Sequence, residues 1–176
     1  MISFNKTEIP DVVTFKSENF KDNRGFFMEV FNKNINDYFK CNFVQDNYVK
    51  TTKKHVIRGM HFQKKEGQAK LVKVFKGEII DVAVDLRKNS PTYKKWVSRI
   101  ISDKNMLNIF IPVGFAHGYC TLTENTEVYY KCSRYYNKKY DAGFLWSDTD
   151  INIKWPTINP ILSTKDQSLP NFREVI

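Results

Sequence analysis

A chain of 176 residues can bury one sizeable core and is too short for two. Its 41% hydrophobic and 15% aromatic content excludes disorder, and no run reaches the ~20 apolar residues of a membrane helix. The net charge of +9 comes largely from scattered pairs such as Lys53–Lys54, Lys64–Lys65, Lys94–Lys95 and Lys138–Lys139. Without a zinc pattern or a recognition helix, this charge suits a solvated surface or a small polyanionic ligand and argues against nucleic acid.

The opening "MISFNKTEIPDVV" has no charged-then-apolar leader, and Cys41, Cys120 and Cys132 are an odd number without metal-type spacing. Reduced thiols in a cytoplasm are the expectation. Along the chain, apolar, β-branched and aromatic residues recur with period two. Runs at 12–15, 26–31, 43–48, 55–63 and 71–75 are predicted strands, followed by 79–86, 96–101, 107–111, 119–122 and 127–132. Turn signals separate them at 76–77, 89–91 and 112–114, and only "NINDYFK" (34–40) is a predicted helix. The tail beyond Tyr136 is loop-rich, yet its Trp146 and Trp155 predict that it packs down. Many short strands and no linker or repeat predict a single all-β domain over residues 1–176, an antiparallel sandwich or barrel with short peripheral helices.

Within this pattern "HVIRGMHFQ" (55–63) is anomalous, because a predicted strand carries Arg58, Gly59 and His61 among its apolar residues. Strict alternation puts His61 with Ile57, Gly59 and Gln63, and Arg58 with Met60 on the opposite face. A bulge at Gly59 would bring Arg58 round to the face of His61. An isolated strand histidine is ordinarily structural, and Lys70, entering the next apolar strand, has the look of an edge gatekeeper. The alternative for both is a pocket, with Lys70 beside His61 to steady an oxyanion.

A second stretch, "FIPVGFAHGY" (110–119), holds Pro112, Gly114 and His117 in the order Pro-x-Gly-x-x-His. This resembles the second half-motif of the cupin jelly roll, which directs the histidine into the barrel mouth. The first half-motif, His-x-His in metal-binding cupins, here reads His61-Phe62-Gln63. His61 and His117, even with Glu66, fall short of a good ligand set, so no metal is expected.

The ordered series "DNRGFFMEVFN" (22–32), "FVQDNYVKTTKKHVIRGMHFQ" (43–63), "KLVKVFKGEIIDVAVDLRKNSPTYKKW" (70–96), "IPVGFAHGY" (111–119), "EVYYKCSRYYN" (127–137) and "ILSTKDQ" (161–167) resembles the dTDP-4-dehydrorhamnose 3,5-epimerase family over nearly the whole chain. The resemblance implies a cofactor-free, metal-free homodimer of jelly-roll barrels acting on nucleotide-linked 4-keto-6-deoxy sugars. It further implies His61 as base, Asp166 as its carboxylate partner, Tyr130 as proton donor and Lys70 facing the sugar carbonyl. Spacing alone does not separate Asp166 from Asp81 or Asp85 as that partner. Tyr136 matches the aromatic that stacks on the nucleotide base. Arg24, Glu29, Gln45, Asn47, Arg58, His117, Asp141 and Lys165 match further substrate-contacting positions, and the cations among them suit a pyrophosphate.

The chain departs from the family pattern at Tyr48 and Val49, where a histidine and a small polar residue are usual. Ala69, Lys73 and Asp141 stand for a glycine, an arginine and a glutamate. Retained chemistry on a changed sugar or nucleotide fits these departures, so a GDP-linked heptose stays open beside a dTDP-linked hexose, as does inversion at C3, C5 or both. Two other classes stand beside the epimerase: a nucleotide-sugar 3,4-ketoisomerase on the same barrel, and a non-catalytic nucleotide-sugar binder. Retention of Tyr130 and Asp166 favours epimerisation over the ketoisomerase, and the intact set of His61, Lys70, Tyr130 and Asp166 counts against a non-catalytic binder.

Overall fold

The computed structural model describes residues 2–175. Thirteen strands run in chain order as β1 (Ser3–Lys6), β2 (Val13–Lys16), β3 (Asn19–Asp22), β4 (Gly25–Met28), β5 (Gln45–Thr51), β6 (Ile57–Gln63) and β7 (Lys70–Lys76). They continue as β8 (Glu78–Asp85), β9 (Trp96–Ser102), β10 (Leu107–Ile111), β11 (Phe115–Thr121), β12 (Thr126–Cys132) and β13 (Asp141–Gly143). Three helices, α1 (Lys33–Phe39), α2 (Thr164–Gln167) and α3 (Phe172–Val175), lie outside the sheets. One sheet has the order β1-β2-β10-β7-β12-β5 and the other β13-β6-β11-β8-β9, while β3 and β4 form a separate hairpin. This is the antiparallel two-sheet sandwich that the period-two pattern implies, in the jelly-roll form that the family resemblance implies.

The two sheets face each other across a shared core. Val72, Val74, Ile109, Ile111 and Val128 enter it from the six-stranded sheet, and Ile79, Ala83, Val97, Ile101 and Phe115 from the other. Every second residue of β7 (72 and 74) and β10 (109 and 111) therefore points inward, as a half-buried strand requires. β8 and β11 are buried on both faces, because the chain after Gly143 folds over their outer side. Phe144, Ile151, Ile153 and Phe172 pack there against Met60, Val82, Val84 and Ala116. Trp155 donates its indole N–H to the Trp146 carbonyl at 2.8 Å, which pins that tail as its tryptophans imply.

Helix α1 covers part of the other outer face. Its N-cap Asn32 accepts the Ile35 N–H at 3.1 Å, an arrangement that contributes about 1 kcal/mol. Ile35 is fully buried and Phe39 stacks on Phe110 with ring centroids 4.1 Å apart. The described residues also include three free thiols, Cys41, Cys120 and Cys132, and no helix long and apolar enough to cross a membrane.

Strand β6 resolves the anomaly of its sequence. His61 pairs with His117 of β11, but Arg58 pairs with Tyr119, so two residues of β6 oppose Gly118 alone. This bulge breaks the alternation between Arg58 and His61. Met60 turns into the outer core, fully buried, while Arg58 and His61 reach the same internal cavity. Gly59 has φ +138°, and a Cβ there would lie 2.6 Å from the Gly118 Cα. No other residue fits that crossing.

Candidate active site

The inward face of the six-stranded sheet grows more polar toward its mouth, row by row. Val49, Val128 and Val74 form one cross-strand row, Asn47, Tyr130 and Val72 the next, and Gln45, Cys132 and Lys70 the third. Tyr130 and Lys70 thus stand diagonally on neighbouring strands, on one face. β7 lies between β10 and β12, so Lys70 is not on a sheet edge, and the gatekeeper reading is corrected. Burial pushes its ammonium below the ordinary lysine value, opposed by the nearby Cys132, Asp81 and Asp141. Burial raises the Tyr130 hydroxyl, and Arg58 pulls it back toward ionisation.

His61 projects from the opposite sheet. Its Nε2 lies 2.6 Å from Asp166 Oδ1, in a pair where the carboxylate is 5% exposed and the imidazole 30%. Burial tends to raise the Asp166 pKa, but the hydrogen bonds from His61 and Ser163 and the charge of Lys165 hold it below the usual carboxylate value. An ionised carboxylate only accepts, so Nε2 carries the proton and Nδ1 is left as the basic nitrogen. Asp166 is positioned by α2, whose N-cap Ser163 accepts its N–H at 3.1 Å. The three aspartates that spacing left equivalent have separate partners: Asp166 holds His61, Asp81 holds His117 at 2.8 Å, and Asp85 binds Arg87.

Two cavities, of about 290 and 280 Å³, share His61, Lys70, Tyr130 and Lys165 in their walls. The first extends to Gln45, Asn47, Tyr136 and Asp141, and the second to Arg58, His117 and Asp166. Tyr136, 53% exposed, presents its ring at the open end of the first. Its hydroxyl donates to Asp141 Oδ2 at 3.0 Å, its N–H to Gln45 Oε1 at 2.8 Å, and Lys165 is ion-paired with the same Asp141. Eleven of the thirteen residues singled out in the sequence therefore meet around one space.

Arg24 and Glu29 do not. Arg24 sits at the exposed tip of the β3–β4 hairpin, bonded to Asp22 at 2.6 Å. Glu29 accepts from Asn32 at 2.6 Å and lines a separate cavity with Phe4 and Phe20. Within one chain neither lines the His61 cavity: Arg24 is on a hairpin that belongs to neither main sheet, and Glu29 lies just beyond its second strand. Tyr119, Cys132 and Gln68 line the site without having been singled out. Period two names the first pair directly: Tyr119 follows His117 by two residues on β11, and Cys132 follows Tyr130 by two on β12.

A jelly-roll barrel with an oriented imidazole on one wall and a phenol and an ammonium on the other defines an acid–base enzyme. The family description dTDP-4-dehydrorhamnose 3,5-epimerase matches residues 6–174, and the chain belongs to that family of isomerases. It is 50% identical over 165 residues to the dTDP-4-dehydrorhamnose 3,5-epimerase of Shigella flexneri, covering 92% of this chain and 91% of the relative. Identity to the Methanothermobacter thermautotrophicus enzyme of that name is 44% over 176 residues, covering 97% and 95%. Among solved structures, the Bacillus anthracis dTDP-4-dehydrorhamnose 3,5-epimerase with TDP and PPi bound superposes with a TM-score of 0.93 at 43% identity, covering 98% of this chain and all of the other. The Legionella pneumophila dTDP-6-deoxy-D-glucose-3,5-epimerase in complex with dTDP-4-keto-L-rhamnose gives 0.94 at 36% identity, covering 98% and 94%.

Proposed function

We propose that this chain, working as one catalytic domain, inverts C3 and C5 of a dTDP-linked 4-keto-6-deoxyhexose. The observation that carries this reading is the placement of the His61–Asp166 pair and Tyr130 on opposite walls of one cavity. The C4 ketone acidifies the hydrogens on C3 and C5. His61 Nδ1 takes one of them, and the electron pair of the C–H bond moves onto the C4 oxygen as an enolate. Lys70 steadies that oxygen with its ammonium. As the enolate collapses, Tyr130 delivers its proton to the opposite face of the same carbon, and that centre is inverted. The phenolate and the imidazolium then return to their starting states by exchange with water. The names and the nucleotide ligand of the similar proteins favour dTDP over GDP. Tyr136, Asp141 and Lys165 lie where the nucleotide would enter, and Arg58 offers a guanidinium to its phosphates.

Incubating the protein with dTDP-4-keto-6-deoxy-D-glucose in heavy water should place deuterium at both C3 and C5 of an L-configured product. A carbonyl moved to C3 would make the protein a ketoisomerase. Absence of deuterium from both carbons, with turnover of the GDP-linked heptose in its place, would overturn the nucleotide and sugar assigned.

The same reading gives Arg24 and Glu29 a place in a homodimer, where each hairpin reaches the partner subunit's cavity. The exposed Phe20, Phe26 and Phe27 on that hairpin support an interface there. Co-expression of Arg24→Ala with His61→Asn checks it. A symmetric dimer then forms mixed pairs with one intact site, so about a quarter of wild-type activity should return from two impaired chains. Recovery of none would place the hairpin's function within its own subunit.

A further inference from the structure

Tyr119 is 4% exposed, yet its hydroxyl has no hydrogen-bond partner among the described residues. Buried hydroxyls are ordinarily paired, and an unpaired one is a cost that folding alone does not explain. The Thr51 hydroxyl is close enough to draw the Tyr119 pKa down a little, but the two oxygens do not meet within hydrogen-bond geometry. Val49, in the wall of the same cavity, has no polar side-chain atom to offer. The phenol shares that wall with Arg58, His61, Lys70 and Tyr130.

We propose that Tyr119 is a specificity-determining residue of this site, its hydroxyl hydrogen-bonding a ring hydroxyl of the bound sugar. This rests on the reading of the cavity as a nucleotide-sugar site. Tyr119 belongs to the core cluster between the sheets, at the closed end of the space, whereas Tyr136 marks the open end. A nucleotide sugar entering sugar-first therefore brings its ring, and not its base, to Tyr119. Arg58, a permanent cation beside it, is the stronger partner for phosphate oxygens. Burial drives the Tyr119 pKa far above the ordinary phenol value, so this group stays neutral. A neutral phenol both donates and accepts, which matches a sugar hydroxyl in both roles. A bound sugar hydroxyl supplies the partner that the protein itself does not.

Tyr119→Phe removes the oxygen and keeps the ring. Calorimetric titration with dTDP and with dTDP-glucose, which has the sugar hydroxyls but no ketone, separates the two ends of the ligand. Affinity for dTDP should stay within about twofold, while that for dTDP-glucose falls about five- to tenfold, the reach of one neutral hydrogen bond. The thermal midpoint of the unliganded protein should be unchanged or raised, since no internal bond is lost. Equal affinity of both proteins for dTDP-glucose would overturn the proposal. A parallel loss for dTDP would assign the hydroxyl to phosphate, and a lowered midpoint would reveal an internal partner; either result also overturns it. Wild-type turnover of the keto sugar, measured alongside, reports separately on the epimerase reading. If it fails, the titrations still decide Tyr119.

Discussion

Replacing His61 by asparagine should abolish deuterium exchange at C3 and C5 together, by at least the two to four powers of ten that a positioned general base supplies. In His61→Asn the shorter amide overlays Nδ1 and falls short of Asp166, but the nearly buried carboxylate keeps the Ser163 hydrogen bond and the charge of Lys165. Folding and nucleotide-sugar binding should therefore survive. No basic lone pair replaces Nδ1, so neither carbon can lose its proton. Following both protons by NMR in heavy water checks this centre by centre. Exchange persisting at one carbon would hand that centre to the second imidazole in the wall, His117. That outcome runs against the local electrostatics, because burial drives the His117 pKa down and Asp81 occupies its Nε2.

Tyr130→Phe should dissociate two rates that run together in the parent. Removing the hydroxyl leaves His61 able to form the enolate and Lys70 able to hold it, but no proton waits on the opposite face. The enolate is then reprotonated from the side it came from. Net inversion should fall by roughly two to four powers of ten, the contribution of a positioned acid. Deuterium entering the uninverted sugar should fall much less, provided the protonated imidazole exchanges with water; the 30% exposure of His61 supplies that access. Both rates come from one sample in heavy water. Collapse of exchange and inversion by the same factor would mean that Tyr130 is needed for enolisation, and the two-walled mechanism would fail.

What was legible in the sequence follows from burial. The strands lining the core carry period-two apolar residues, and that pattern marks each of them within a few residues of its observed bounds. β1, β3 and β13 were missed for a physical reason: β1 and β3 are mostly exposed and β13 spans three residues, so none has an apolar face to advertise. The four-residue helices α2 and α3 are too short for a 3.6 period to register. β11 begins at Phe115 and not at 119, because the proline and glycine just before it read as a turn that masks a strand buried on both faces.

The site was legible in part for the same reasons. His61 and Lys70 violate the pattern of the strands that carry them, and such local violations mark function; Tyr130, in an aromatic strand, is marked only by the family resemblance. The bulge was inferable from Gly59, since only a bulge reconciles Arg58 and His61 on one wall. Asp166 was not inferable from spacing. It lies 105 residues from His61 on a loop-borne turn, and only the folding of the tail brings the two together. That Arg24 and Glu29 stand outside their own chain's cavity was invisible, because a motif records which residues matter and not which cavity they reach.

His61 rides on one sheet and Tyr130 on the other, so in the mechanism proposed the span between base and acid is inherited from sheet packing. Face-to-face sheets stand about 10 Å apart. Here that spacing is held by Val72, Ile109 and Val128 on one side against Ile79, Val97 and Ile101 on the other, none of which lines either cavity at the site. The core thus acts as a calliper on the gap between His61 and Tyr130. A methylene gained or lost in it, in an interior packed like a crystal, shifts the jaws without touching a reactive group. Stereochemical outcome is then a property of the filling between the sheets as much as of the residues at their mouth.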